Sequence, residues 1–340
     1  MIVGLDTQLA VGTATGIGTY QRDLARALRA EGVEIRALHA PRIDPWRFDR
    51  RVMWDQVLLP LAAARSGATL LHATAGTMPL VRTMPALVTV HDLAWFRVQS
   101  HTRAYARAYF GTLQRRAYRG ACAVVCDSNF SASEYRELVD GDARVDVVYP
   151  GVDERFARIV RDPDRDAPFA LVVGTVEARK NLLVLVEALA AVPDLRIVSV
   201  GPQTRYAERV RARAAELGVT DRLVLRGYVD RAELDELYAR AACALVPSVY
   251  EGFGYALAEA LCAGLPALAA NTSSLIEVAG ASVPLLPPAD PAAWAAEIRA
   301  VLAAAEARER DAAQMRAAHR TRFSWTTAAR AMRAIYARTA

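Results

Sequence analysis

SVYEGFGYALAEALCAGLP, residues 248–266, is an apolar stretch that nevertheless carries two carboxylates, Glu251 and Glu259. The segment before it, ALVPS (244–248), reads as a strand ending in a turn. Gly252 and Gly254 then leave the backbone bare for close approach, a strong helix pattern starts at Ala256, and 266–269 reads as the next strand. Strand, turn, helix, strand is one repeat of a parallel sheet with crossover helices. A charged glutamate in apolar surroundings costs several kcal/mol unless it is paired or hydrogen-bonded, so a segment that keeps two of them points to a ligand for both. Eight helical residues rise about 12 Å, more than the roughly 5–9.5 Å between the paired carboxylates of glycoside hydrolases. The two acids are therefore expected to serve different parts of one elongated ligand.

The same alternation runs outward in both directions. Short β-branched runs at 1–5, 35–39, 70–73, 86–91, 123–126 and 145–149 come first, each but the last followed by a helix-compatible stretch. The segment PGVDERFARIVRDPDRDAP (150–168) has no sustained periodicity and reads as a connection. The rhythm restarts at 169–173 and continues through 195–200, 223–226, 244–246 and 266–269. The fold expected is α/β: two doubly wound, Rossmann-like domains in series, facing across a cleft with the ligand at the carboxyl ends of their strands. The boundaries expected are 1–157 for the first domain, 158–168 for the linker and 169–322 for the second. The helical segment 323–340 lies beyond the last strand and is free to cap either domain.

With 340 residues the chain is long enough for two cores, and 53% hydrophobic residues fit a globular protein. A net charge of +5 spread over scattered arginines suits anionic small ligands or an anionic membrane surface and lacks the dense basic stripe of a nucleic-acid binder. The Arg- and Ala-heavy composition fits a GC-rich bacterial genome. The opening MIVGLD has no basic or apolar leader, so no secretion signal is expected. Nor does any apolar run reach membrane-spanning length. Four cysteines without a CxxC pair are expected to be reduced and buried in a cytoplasmic protein.

Further candidates sit at the ends of strands. TATGIGTYQRDLARAL (13–28) places Gly16 and Gly18 at the start of an amphipathic helix, as an ordinary strand-to-helix turn or as a place where backbone amides meet a phosphate. Its spacing is not that of the dinucleotide fingerprint GxGxxG. VTVHDLAWF (88–96) ends a strand with His91 and Asp92. A lone histidine is more often structural, and the strand end is what favours function. In LVVGTVEARKNLLVLVEAL (171–189), Arg179 and Lys180 are adjacent cations at a helix N-terminus, which opposes the macrodipole unless an anion binds between them. The acids of DPDRD (162–166) imitate a metal motif, but with no strand to position them they read as a solvated charge run. No metal or other cofactor is expected.

Taken together, Gly16, CDSNFSASEY (126–135), VYPGVD (148–153), GTVEARKN (174–181), LRGYVDRAEL (225–234) and the E-x7-E element of 247–266 resemble the retaining GT-B glycosyltransferases of family 4, over nearly the whole chain. GTVEARKNL with RVMWDQVLLP (51–60) looks most like the bacterial mannosyltransferases of this group 1 type, which act on polysaccharide or lipopolysaccharide precursors. The resemblance implies that Gly16, Arg179 and Lys180 meet the donor diphosphate and that His91 lies beside the transferred sugar. It implies that Glu251 and the backbone of Gly252, Phe253, Gly254 and Tyr255 hold that sugar, that Glu259 accepts from the ribose, and that Tyr228 and Val229 face the base. His91 and Glu251 are the catalytic candidates, as positioning and electrostatic groups. Two departures from the family pattern stand out: Thr15-Gly16 replaces Gly-Gly, and Thr175 follows Gly174 where many relatives have arginine.

The activity expected is transfer of a hexose, mannose first, from a nucleotide-diphosphate sugar to a glycan or lipid-linked acceptor in cell-surface polysaccharide synthesis. A UDP-hexose donor is the alternative, and a sugar-nucleotide-binding protein without turnover is the reading from a different class. RIDPWRFDRRVMWDQVLLP (42–60) interleaves arginines with aromatics, which suits peripheral contact with the anionic inner face of the membrane. Arg50, Arg51 and Trp54 are its candidates for the acceptor or membrane side, against the plainer reading of a charged loop leading into a packed helix.

Overall fold

The structure, a computed structural model, describes residues 1–11, 16–44, 46–97, 105 and 108–339. The chain divides into two compact units, Met1–Gly151 with Phe323–Ala340, and Val152–Arg322. Each is built on a six-stranded sheet in which every pairing is parallel.

In the first unit the strands are β1 (Ile2–Asp6), β2 (Glu34–Leu38), β3 (Leu70–Ala73), β4 (Ala86–Val90), β5 (Ala123–Cys126) and β6 (Val145–Val147), in the order β2-β1-β3-β4-β5-β6. Strand alternation splits the core between the two faces. Val3, Leu5, Leu70, Leu87 and Val125 pack with the helices Gly16–Ala30 and Trp325–Thr339, whereas Leu71, Val88, Val90 and Cys126 pack with Trp54, Leu59, Tyr118 and Tyr135. The chain's last helix thus belongs to the first unit. Ala328, Ala329, Met332, Ile335 and Tyr336 form its buried face at helical spacing. Its first turn sits on Gly151, where an added Cβ would lie 2.4 Å from the Trp325 amide nitrogen. That contact explains the glycine in VYPGVD.

In the second unit β7 (Phe169–Val173), β8 (Arg196–Val200), β9 (Leu223–Gly227), β10 (Cys243–Val246), β11 (Ala267–Ala270) and β12 (Leu285–Leu286) are ordered β12-β11-β10-β7-β8-β9. Both halves are thus doubly wound α/β, as the alternation of the sequence implies. In the second, strand order reverses between β7 and β10, the crevice where open α/β sheets take ligands. β12 escapes the sequence reading because its two residues are enclosed by Pro284 and Pro287.

The second unit begins at Val152, whereas the sequence reading runs the first domain to 157 and starts the second at 169. The stretch 158–168 is also more than a connection. Asp162 N and Asp164 N donate to Ala239 O and Arg240 O at 3.0 and 2.9 Å. Arg161 donates to the carbonyls of Tyr238, Ala239 and Ala241 at the C-terminus of the helix Arg231–Arg240. A cation there satisfies orphan carbonyls and complements the helix dipole. Of the cysteines, Cys126, Cys243 and Cys262 are buried, but Cys122 is exposed.

Candidate active site

At the switch point of the second sheet, the register that pairs Ala244 with Leu171 carries Pro247 to the level of Gly174. Gly174 has φ +141°, and the Lys180 stem lies over it, with Cε 3.4 Å from where a Cβ would stand. The turn Ala178–Lys180 leads into the helix Leu182–Leu189 through Asn181, whose φ of 55° is left-handed. The Asn181 side-chain amide donates to Pro247 O at 3.2 Å and Pro288 O at 2.7 Å, and Val249 N donates to Arg179 O at 2.8 Å. These bonds lock the loop after β7 to the loop after β10.

That locking brings together three of the expected residues. Lys180 Nζ donates to Glu251 Oε1 at 2.5 Å. Arg179 Nη1 donates to Glu251 Oε2 and to Tyr250 O, both at 3.1 Å, while Arg179 Nε pairs with Glu177 at 3.0 Å. Glu251 is 7% exposed, and its backbone is held by Ser273 and Ser274 through bonds of 2.9 Å each. Burial pushes its carboxyl upward, but Lys180 and Arg179 outweigh that and hold it below the ordinary carboxylate range. The anion that the two adjacent cations require is, in this structure, the protein's own. Asn181, which the sequence places in the same turn without a role of its own, is a positioning residue; its signal is an asparagine at a helix entrance that needs positive φ.

The backbone of 252–255 follows directly. Gly254, at φ +94°, stands at the start of the helix Tyr255–Ala263, and an added Cβ would meet Leu275 at 2.7 Å. Phe253 is buried edge-on to Tyr255, with ring centroids 5.3 Å apart. The amide-rich start of this helix therefore adjoins Glu251.

Glu259, two turns further on, has its own partners. Tyr238 Oη donates to it at 3.1 Å. Burial pushes its carboxyl up to about 7; Tyr238 and Arg155 pull the other way, and Asp153 and Asp235 add to the rise. Because the folded chain holds this proton more tightly than the unfolded chain, the group's contribution to stability is full below about pH 4.5 and is lost as pH rises through about 7. Glu259→Gln keeps the acceptor for Tyr238 and cannot ionise. Its melting temperature is expected to exceed wild type at pH 8 but not at pH 5, with a gain of about 1–2 kcal/mol for a partly exposed group. Melting curves at the two pH values check this, and an equal or lower melting temperature at pH 8 contradicts it. Tyr228 stands beside β9 and is 72% exposed, and Val229 next to it is half-buried.

In the first unit, β4 and β5 pair Val90 with Cys126, so the next residues, His91 and Asp127, emerge side by side. His91 Nδ1 lies 2.6 Å from Asp127 Oδ2, and Nε2 lies 2.8 Å from Thr74 O. Both partners are acceptors, and only a doubly protonated ring donates to both. Burial lowers the imidazole's proton affinity, but Asp127 and the other hydrogen bonds reverse this and raise its pKa. Tyr20 packs edge-on at 4.7 Å. The sequence reading singled out His91 and missed Asp127, although two neighbouring strands that each end in an acid, HD and CD, carry the signal. Gly16 begins its helix with open space around the Cβ position. Thr15, beside it, lies outside the described residues.

The expectation for 42–60 needs correction. Arg50 is exposed, but Arg51 is 8% and Trp54 1% exposed. Arg51 donates to Asp55 at 2.9 Å, to Ala75 O and to Thr77, while the Trp54 indole donates to Asp6 at 3.1 Å. Tyr109 also donates to Asp55, at 2.7 Å. The cause is helical phase: residues 51, 54 and 55 face inward, leaving Arg50, Met53, Val57 and Leu61 outside. Arg51 and Trp54 are thus part of a buried polar network and unavailable to a membrane. An open depression of ≈540 Å³ lies beside them, lined by Arg47, Phe48, Asp49, Val52 and Tyr105. Among the described residues no cluster of three His, Cys, Asp or Glu side chains is placed to hold a metal, and no helix is long and apolar enough to cross a membrane.

Comparison with known proteins adds independent information. Residues 14–156 match the family described as Glycosyltransferase Family 4, and residues 153–318 match Glycosyl transferases group 1. The D-inositol 3-phosphate glycosyltransferase of Xylanimonas cellulosilytica is 29% identical over 97% of this chain and 93% of its own. The O-antigen chain mannosyltransferase B of Escherichia coli is 28% identical over 57% of this chain and 55% of its own. Among solved structures, HepE of Anabaena in complex with UDP and glucose superposes with a TM-score of 0.73 at 17% identity, covering 99% of both chains.

Proposed function

The chain belongs to the group 1, family 4 glycosyltransferases of the GT-B fold, and from that premise we propose that it moves a hexose, mannose first, from a nucleotide-diphosphate sugar to a glycan or lipid-linked acceptor with retention of configuration. The observation that carries this reading is the pair of cations, Arg179 and Lys180, gathered with Glu251 where the second sheet reverses its strand order. Two cations there suit a diphosphate, and the bare backbone of 252–255 with the helix start suits the sugar next to it. Glu259 is assigned to the ribose, and the exposed Tyr228, with Val229, to the base. Gly16 is kept as a backbone contact to phosphate.

In the reaction the bond from the sugar's anomeric carbon to the phosphate oxygen breaks, and an acceptor hydroxyl oxygen bonds to that carbon. The hydroxyl proton passes to the departing phosphate. Positive charge develops on the sugar and negative charge on the leaving group, so Arg179 and Lys180 stabilise the departure and Glu251 the sugar. His91, with both ring nitrogens donating, has no lone pair with which to take a proton. Paired with the Asp127 carboxylate, it is assigned to positioning and electrostatic stabilisation beside the transferred sugar. No cofactor is invoked, and the nucleotide sugar is a substrate.

A UDP-hexose donor is the second reading, favoured by the UDP and glucose held in the Anabaena structure of the same fold. For the acceptor we propose a cell-surface polysaccharide precursor, supported by the O-antigen mannosyltransferase among the relatives, received by the first unit at the membrane's inner face. Of the basic residues first considered for that contact, Arg50 is on the surface, with Trp46 and Met53 exposed nearby. Incubating the protein with GDP-mannose or UDP-hexoses and lipid-linked glycan acceptors, and weighing the products, tests the proposal. A product heavier by one hexose, formed from GDP-mannose ahead of UDP-hexoses, is expected. Donor binding without consumption across the panel would return the chain to the class of non-catalytic sugar-nucleotide binders.

A further inference from the structure

Glu251 occupies the cations that a diphosphate would need. Its two carboxylate oxygens face different partners, Oε1 to Lys180 at 2.5 Å and Oε2 to Arg179 at 3.1 Å. The cations themselves keep some exposure, 27% for Arg179 and 20% for Lys180, against 9% for the Glu251 side chain. Beneath Lys180, the cavity lined by Gly174, Thr175, Pro247 and Ser248 measures only ≈10 Å³, about enough for one water, so the Lys180 stem is closely packed on its inner side. The carboxylate is also fixed from behind, since Thr272 donates to Ser248 O at 2.8 Å and Ser273 and Ser274 grip the Glu251 backbone. A nucleotide diphosphate that takes Lys180 and Arg179 must therefore take them from a buried anion that cannot retreat into water.

We propose that Glu251 sets a preference for the nucleotide-diphosphate sugar over the free nucleotide diphosphate, by competing for Arg179 and Lys180 and regaining partners only when a sugar is present. The inference rests on the diphosphate reading of those two cations. When a donor binds, the cations turn to its phosphates and the sugar's hydroxyls donate to the released carboxylate, so the charge stays hydrogen-bonded. When the bare nucleotide diphosphate binds, the cations turn the same way and no sugar replaces them, so of its present side-chain donors Glu251 keeps only Ser248. A buried carboxylate left without its partner is heavily penalised. The donor is thus held and the product of transfer is repelled, which clears the site after each turnover. Had Glu251 served only to hold Arg179 and Lys180 in place for phosphate, removing its charge would weaken phosphate binding. The competing role requires the opposite sign.

Titration calorimetry with inorganic pyrophosphate, UDP, GDP, UDP-glucose and GDP-mannose, on wild type, Glu251→Gln and Glu251→Asp, decides between them. Glu251→Gln is expected to bind pyrophosphate and the free nucleotide diphosphates about tenfold more tightly than wild type, with a smaller gain or a loss for the nucleotide sugars. The preference for donor over product then shrinks. Glu251→Asp, a shorter carboxylate that cannot span both cations, is expected to fall between the two and supplies the test should the glutamine variant fail to fold. Unchanged or weaker binding of pyrophosphate and the nucleotide diphosphates by the folded variants would overturn the proposal. If in that event Lys180→Ala lowers nucleoside diphosphate affinity far more than nucleoside affinity, this inference alone falls. If it does not, the phosphate reading beneath it falls as well.

Discussion

Gly201→Ala is expected to lower the stability of the second unit by about 3–5 kcal/mol, a drop in its melting temperature of roughly 6–20 °C for a unit of this size. Gly201 follows β8 with φ +142°, a conformation that L-residues rarely adopt, and a Cβ there would stand 2.2 Å from Gly174 O and 2.5 Å from Gly174 C. These are backbone atoms, so no side chain can swing aside. Relief requires the ends of β7 and β8 to separate, breaking Gly174 N to Val200 O at 2.8 Å and Gly201 N to Gly227 O at 2.7 Å. Gly174 is also the floor beneath Lys180, so nucleotide-diphosphate binding is expected to fall along with stability. Differential scanning calorimetry reads the first effect and titration of UDP or GDP the second. A melting temperature within about 1 °C of wild type would show that the close approach of these turns is not what holds the site's floor.

The two sheets were legible because parallel strands buried on both faces leave continuous β-branched runs, as in Phe169–Val173 and Ala86–Val90. The pair Leu285–Leu286 left no such run. Within the site, Arg179, Lys180, Glu251 and Glu259 were legible one by one, as charges in places where charge is costly. Their mutual pairing was not. Glu251 is 71 residues from Lys180, and only the register between β7 and β10 brings the two loops together. The same holds for His91 and Asp127, 36 residues apart and joined by the register of β4 with β5. Arg51 and Trp54 misled because composition marks a surface while helical phase decides which side chains reach it. The Asp55 carboxylate four residues after Arg51, with the acid of β1 beyond reach of local reading, is the partner that turns the arginine inward. Thr15, in the loop before the first helix, lies outside the described residues and adds nothing to the reading of Gly16.

The central claim is that the turn after β7 presents Lys180 and Arg179 to a diphosphate, and one comparison addresses it most directly. Wild type and Lys180→Ala are titrated in parallel with a nucleoside diphosphate and with the matching nucleoside, uridine with UDP and guanosine with GDP. Lys180 reaches its partner over Gly174 from a turn fixed by Asn181, so truncation removes one charge-assisted donor without removing the loop's anchors. Such a bond contributes about 1.5–3 kcal/mol, which is roughly a 10- to 150-fold loss of affinity. The account requires nucleoside diphosphate affinity to fall by at least tenfold while nucleoside affinity stays within about twofold. Equal losses for the diphosphate and the nucleoside would place Lys180 outside the phosphate site and contradict the account.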